Sequence, residues 1–309
     1  MTTPALEPAY VAVDWGTSSF RLWLIGRDGS VIAERRSGEG MTTAARTGFA
    51  EVLNTHLAAV SAPADLPVLI CGMAGAKQGW IEAGYLDTPA ALADIPAAAV
   101  RIPGVAADIR ILPGLAQRDA VTPDVMRGEE TQLLGAADAL GGGDHLVCMP
   151  GTHSKWVRLS GGRVAGFSTF MTGELFEAIA RNTILSHAIA EAGAISGENA
   201  AFRAAVTRMV ETPALATSQL FSVRAGSLIA GLSPDDAKAR LSGTLIGLEI
   251  AGALSLVADG TPVALVVSGG LGALYEAALA AAGLAPTLID ADTAVRNGLA
   301  AGAKALWSL

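Results

Sequence analysis

A chain of 309 residues, 51% hydrophobic and 16% charged, is long enough for two domains with sizeable cores. A net charge of −8, with no Lys/Arg cluster, argues against a nucleic-acid surface. Mean hydropathy is +0.44, but the apolar excess is mostly alanine, broken by Glu249, Glu276 and Pro286, so no stretch reads as a membrane span.

In chain order, Met1 to Pro8 lacks a basic region followed by an apolar core, and no secretory leader is expected. Residues 10–14, 20–25 and 30–36 alternate or run apolar around Gly26-Arg27-Asp28-Gly29-Ser30, which predicts a meander turned at Asp-Gly. Helical spacing follows over 47–60, then a buried strand at 67–71 and another at 108–112. A helix is predicted over 128–140, ended by Gly141-Gly142-Gly143. A second hairpin runs through 145–150 and 163–169, and helices are predicted over about 173–191, 199–210 and 234–258. Strands at 263–267 and 287–290 and a closing helix at 293–307 complete the chain. A meander followed by alternating helices and strands, done twice, predicts α/β domains with mixed sheets, at 1–142 and 143–309. Cys71 and Cys148 lie in or after apolar runs and read as reduced core residues, in keeping with a cytoplasmic protein.

Three glycine turns carry the chemistry. In Asp14-Trp15-Gly16-Thr17-Ser18-Ser19, backbone N–H groups and hydroxyls suit phosphate oxygens, and Asp14 suits Mg²⁺ through water. In Pro150-Gly151-Thr152-His153-Ser154-Lys155, a second turn suits phosphate, with Lys155 to neutralise transferred charge. It is not a GxxxxGK[ST] loop. In Ser268-Gly269-Gly270-Leu271-Gly272, bare backbone after an apolar strand suits a flat ring, but Tyr275 stands where a dinucleotide fingerprint needs glycine. Each turn, met singly, also reads as an ordinary tight connection.

Arg127-Gly128-Glu129-Glu130 opens a helix, so its acids serve either as caps or as a base that takes a hydroxyl proton; sequence does not choose between Glu129 and Glu130. Lys77, Gln78 and Trp80 follow a strand, where an open sheet places ligands, and Arg21 and Arg127 are further cations for an acidic substrate. Thr172 and Glu174 start a helix and either line the site or cap that helix. There is no HExxH, CxxC or GxSxG, and the four histidines lack metal-ligand spacing, which argues against a zinc enzyme or a nucleophile-elbow hydrolase.

The three turns, in this order, resemble the two phosphate elements and the adenosine element of the actin/hexokinase/Hsp70 superfamily. Together with the segments 71–80, 126–135 and 170–176, they resemble the 2-dehydro-3-deoxygalactonokinase family over essentially the whole chain. The resemblance implies two ribonuclease H-like (actin-like ATPase) domains with a cleft between them. It also implies ATP-dependent phosphorylation of the 6-hydroxyl of 2-dehydro-3-deoxy-D-galactonate in galactonate catabolism. Asp14, Gly16, Thr17 and Ser18 would serve Mg²⁺ and phosphate, Gly151, Thr152 and His153 the β/γ-phosphates, and Gly269 and Gly270 the adenosine. Glu129 or Glu130, with Lys155, would be catalytic; Arg21, Lys77, Gln78, Trp80, Arg127, Thr172 and Glu174 would bind the sugar acid. The alternatives are a kinase for another sugar acid such as 2-dehydro-3-deoxygluconate, a sensor on the same fold, or an ATPase activator of a metalloenzyme. The expected partners are the sugar acid and ATP, without nucleic acid or membrane, and a homodimer is left open.

Overall fold

Two six-stranded sheets in the computed structural model share one order over five of their strands. The structure describes residues 7–309; the remainder of the N-terminal stretch that was read for a leader lies outside the described residues. The chain forms two compact units. The first comprises the described residues up to Gly142, with Gly161–Gly166 and Ala291–Leu309; the second comprises Gly143–Ser160 and Phe167–Asp290. The boundary read from sequence therefore differs in two segments, the larger being the C-terminal helix.

In the first unit, Val31–Ser37, Phe20–Gly26 and Pro8–Trp15 form the antiparallel meander. Val68–Gly72 then pairs parallel to Pro8–Trp15, and Ile109–Ile111 parallel to Val68–Gly72. The second six-stranded sheet repeats this with Arg163–Phe170, Ser154–Ser160 and Asp144–Met149, then Val263–Val267 and Thr287–Asp290 in parallel. Three meandering strands followed by two parallel ones, twice over, is the ribonuclease H-like, actin-like arrangement that the resemblance implied. Val68–Gly72 is buried on both faces, which explains its uninterrupted apolar run. The first core gathers Trp15, Phe20, Leu22, Leu53 and Ile70; the second gathers Trp156, Phe202, Ile250, Leu265 and Tyr275.

Some elements differ from the sequence reading. The helix expected over 47–60 is Phe49–Ala59; a further helix, Met41–Thr47, precedes it across Gly48 and was not expected. That expected over 173–191 is Thr172–Asn182 and Ser186–Ile189. The helix Ala216–Ile229 has weak amphipathic spacing and was not read. A small sheet of Asp124–Met126, Gly114–Gln117 and Tyr85–Asp87 was also missed; strands of three or four residues are too short to show a period.

Within the first unit, the helix Ala291–Trp307 packs on Glu129–Leu140, backbone against backbone. A Cβ on Gly298 would lie 1.9 Å from the Thr131 carbonyl oxygen, and one on Gly135 would lie 1.9 Å from that of Ala294. Only glycine permits this approach.

Candidate active site

In the first unit, the sheet sets the site through its register. Asp14 stands opposite Arg21 across the first hairpin, and Arg21 stands opposite Arg36 across the next. Arg21 donates to Asp14 Oδ2 through Nε at 3.1 Å and Nη2 at 2.6 Å. Two arginines directly opposite would repel. Asp292, in the first turn of the C-terminal helix, lies between them, accepting from Arg21 through Oδ1 and from Arg36 through Oδ2. Burial alone would raise the Asp292 pKa; the two guanidinium groups outweigh it and hold the carboxyl below its ordinary range. Arg21, expected to meet the substrate, is thus committed to two carboxylates.

Asp14 Oδ1 faces Cys71 Sγ at 3.8 Å. Burial pushes the Cys71 thiol well above its ordinary pKa, and the nearby charges of Asp14 and Glu130 push the same way. Asp14, Cys71 and the start of Glu129–Leu140 therefore converge at the C-terminal ends of two parallel strands. Gly128, at φ +105°, turns the chain into that helix. Each glutamate then reaches back to a backbone N–H. Glu129 Oε2 accepts from Arg127 at 3.0 Å, and Glu130 Oε2 from Gly128 at 2.6 Å. Capping, one of the two sequence readings, is realised by both.

Exposure separates them. Glu130 is 0% exposed and also accepts from the Thr131 hydroxyl at 3.1 Å. Burial, then the charge of Glu129, raises its pKa to about 8. Glu129 is only half-buried. A group that must take a proton from a substrate has to be reached by it, and Glu129 meets that condition.

The Glu130 shift has a stability consequence. The unfolded carboxyl titrates near 4.5 and the folded one near 8, so the native state holds the extra proton between those values. Its contribution is fully present below about pH 4.5 and is lost as pH rises towards about 8. Glu130→Gln keeps the shape without the titration. Its stability relative to wild type is expected to climb between pH 5 and 8 and then level off, measured by urea denaturation across that range. A difference that does not change with pH would show that Glu130 titrates normally.

The loop after Val68–Gly72 divides the remaining candidates. Lys77 and Gln78 are exposed. Trp80, expected to wall a pocket, stacks at 6.1 Å on Phe49 and meets Trp15 edge-on at 6.3 Å, so it anchors the loop to the core. Arg127 holds the loop from the other side. It donates to the Gly84 carbonyl at 2.7 Å and lies 4.5 Å over the Tyr85 ring. Its buried Nε and Nη1 have no hydrogen-bond partner.

In the second unit, the Pro150–His153 turn abuts the helix Thr172–Asn182. Glu174 N–H donates to the Thr152 carbonyl at 3.1 Å, and His153 pairs with the Glu174 carboxylate at the surface. Lys155, read as a turn residue, is only 6% exposed and lies in the strand Ser154–Ser160. The Thr172 hydroxyl turns inward to Glu249. Nothing lies within 4 Å of where a side chain on Gly269 or Gly270 would begin, leaving open space at that helix start. Thr17 and Ser18 are exposed on the first hairpin, with Gly16 closing it through its N–H to Ser19 O at 2.9 Å. Sequence reasoning missed Asp292 and Glu249. Asp292 gave no motif signal; Glu249 gave one, a lone acid inside an apolar helix, which was read only as breaking a membrane span.

The profile of the 2-keto-3-deoxy-galactonokinase family matches residues 14–301. A Rhizobium meliloti (strain 1021) protein assigned as 2-dehydro-3-deoxygalactonokinase is 68% identical over 300 residues, covering 97% of this chain and 98% of its own. The Escherichia coli (strain K12) 2-dehydro-3-deoxygalactonokinase is 37% identical over 292 residues, covering 94% and 96%. The crystal structure of a Sinorhizobium meliloti protein given the same assignment superposes with a TM-score of 0.95 at 68% identity, covering 97% of this chain and all of that one. Such similarity across nearly the whole length, on a fold whose motif segments stand as described, places the chain in the 2-keto-3-deoxy-galactonokinase family.

Proposed function

We propose that this kinase transfers the γ-phosphoryl group of ATP to the 6-hydroxyl of 2-dehydro-3-deoxy-D-galactonate in galactonate catabolism. The observation that carries the reading is the family match from residue 14 to residue 301. The hydroxyl oxygen attacks the γ-phosphorus, the bond to the β–γ bridging oxygen breaks, and ADP leaves. Glu129 takes the hydroxyl proton, being the more exposed of the two acids. Glu130, buried and hydrogen-bonded to Gly128, holds the helix start beneath it.

The residues fit Mg²⁺. Asp14 offers an oxygen not taken by Arg21, beside the exposed hydroxyls of Thr17 and Ser18. Among the described residues no cluster of three or more His, Cys, Asp or Glu forms a protein cage. Magnesium in such enzymes is held by one or two carboxylates plus phosphates and water; when bound it neutralises phosphate charge. Gly151 and Thr152 supply backbone and hydroxyl donors to phosphates, Gly16 closes the turn that presents the Thr17 and Ser18 hydroxyls, and Gly269 and Gly270 give a bare surface for adenosine. Lys77 and Gln78 meet the sugar acid; Arg127 and Trp80 hold their loop in place. A reducing cytoplasm is the proposed location, supported by two buried free cysteines; no described helix is long and apolar enough to cross a membrane.

The test is a coupled ADP-release assay over six-carbon 2-keto-3-deoxy sugar acids. The galactonate derivative should give the highest kcat/KM. No turnover with any of them would overturn the kinase reading, and preference for the gluconate derivative would overturn the substrate.

A further inference from the structure

The second unit contains a buried acid that no phosphate or sugar motif includes. Glu249 lies in the helix Pro234–Leu254 and is 1% exposed. Its Oε1 accepts from Trp156 Nε1 at 2.8 Å, and its Oε2 accepts from the Tyr275 hydroxyl at 2.8 Å. The Thr172 hydroxyl also hydrogen-bonds it, and Ser154 Oγ lies 3.0 Å from the Tyr275 hydroxyl. Tyr275 gives its proton to Glu249, so Ser154 donates to Tyr275 and stands behind it. Three donors thus meet the carboxylate, with Ser154 backing one of them.

The origin of those donors matters. Ser154 and Trp156 belong to the strand that leaves the Pro150–His153 turn. Thr172 opens the helix packed on that turn. Tyr275 belongs to the helix that starts at Gly270. No donor comes from the rest of this unit's core. One carboxylate therefore joins the two segments assigned above to phosphates and adenosine, together with the helix start that abuts the first of them.

We propose that Glu249 is a positioning residue for the nucleotide, fixing the distance between the Gly151–Lys155 segment and the Gly269–Gly270 helix start. This rests on the reading that those segments hold ATP. An apolar side chain of similar volume would fill the space but would not tie three separate segments to one point. Because nucleotide contacts lie at both ends of the tie, a small shift between them weakens binding of the whole molecule. Burial raises the Glu249 pKa, while the hydrogen bonds it accepts oppose that rise. Burial, then the charge of Glu249, lifts Tyr275 well above its ordinary value, which keeps it a hydroxyl donor.

The experiment compares Glu249→Gln, Tyr275→Phe and Val206→Ala. Val206 lies in the same core, on the helix Ala200–Glu211, which contributes no donor to Glu249. KM for ATP, KM for the sugar acid, ADP affinity by calorimetry and Tm are measured for each. Glu249→Gln should raise KM for ATP and weaken ADP binding about tenfold, with KM for the sugar acid within about twofold of wild type. Tyr275→Phe should show the same pattern at about threefold. Val206→Ala should lower Tm and leave nucleotide affinity unchanged. Should Glu249→Gln fail to fold, Tyr275→Phe carries the same readout. Unchanged ADP affinity in the folded variant, or an equal loss in Val206→Ala, would overturn the proposal while leaving the kinase reading intact. A wild-type protein that binds no ADP would overturn both.

Discussion

Replacing Glu129 by Gln is expected to lower kcat about 100-fold to 10,000-fold, with little change in KM or Tm. The amide can still accept the Arg127 N–H that the carboxylate accepts at 3.0 Å, so the helix start stays in place. What disappears is the ability to take the hydroxyl proton. Glu130→Gln is the matched comparison. Its side chain is fully buried, and its amide keeps the bond to Gly128, so kcat should stay within about tenfold of wild type. Steady-state rates at saturating ATP separate the two. An active Glu129→Gln beside an inactive Glu130→Gln would reverse the assignment and require the helix start to open during turnover.

Gly298→Ala is the second large effect, and it acts on stability. The new methyl would lie 1.9 Å from a backbone carbonyl oxygen that no rotamer change can move. The two helices must separate, at a cost of about 3 kcal/mol or more. For a protein of this size that lowers Tm by about 5 °C or more. The displaced helix is the one that begins with Glu129, so kcat should fall as well. Gly142→Ala, where nothing lies within 4 Å of the new methyl, should change stability by less than about 0.5 kcal/mol. A Gly298→Ala protein melting within about 2 °C of wild type would mean that the helices part easily.

What the sequence revealed follows from how local each feature is. The meanders were readable because strand alternation and Asp-Gly turns act over a few residues. Val263–Val267 and Thr287–Asp290 were found to the residue, since each is a short apolar run between turn signals. The Asp14–Arg21 pair needs only hairpin register. Its continuation to Asp292 joins positions 271 apart, and no spacing rule reaches that far. Trp80 was misjudged because stacking on Phe49 depends on how a loop folds back. The burial of Lys155 was not legible, because a lysine beside a turn is usually solvated and this one lies in a strand with 6% of it exposed. The choice between Glu129 and Glu130 required side-chain exposure, which adjacent positions on one helix cannot reveal.

The first unit is built from stretches that flank the second in sequence, and this bears on its birth at the ribosome. The helix carrying the glutamates emerges early. The helix that packs on Gly135 emerges only after residues 143–290 have been translated. At about 5–20 residues per second, that interval is roughly 7–30 s. Throughout it, Gly135 is uncovered and Asp292 has not yet come between Arg21 and Arg36. The second unit can mature first, although its sequence comes later. The order of synthesis and the order of completion are therefore reversed, and phosphoryl transfer must wait for residues far from any phosphate motif.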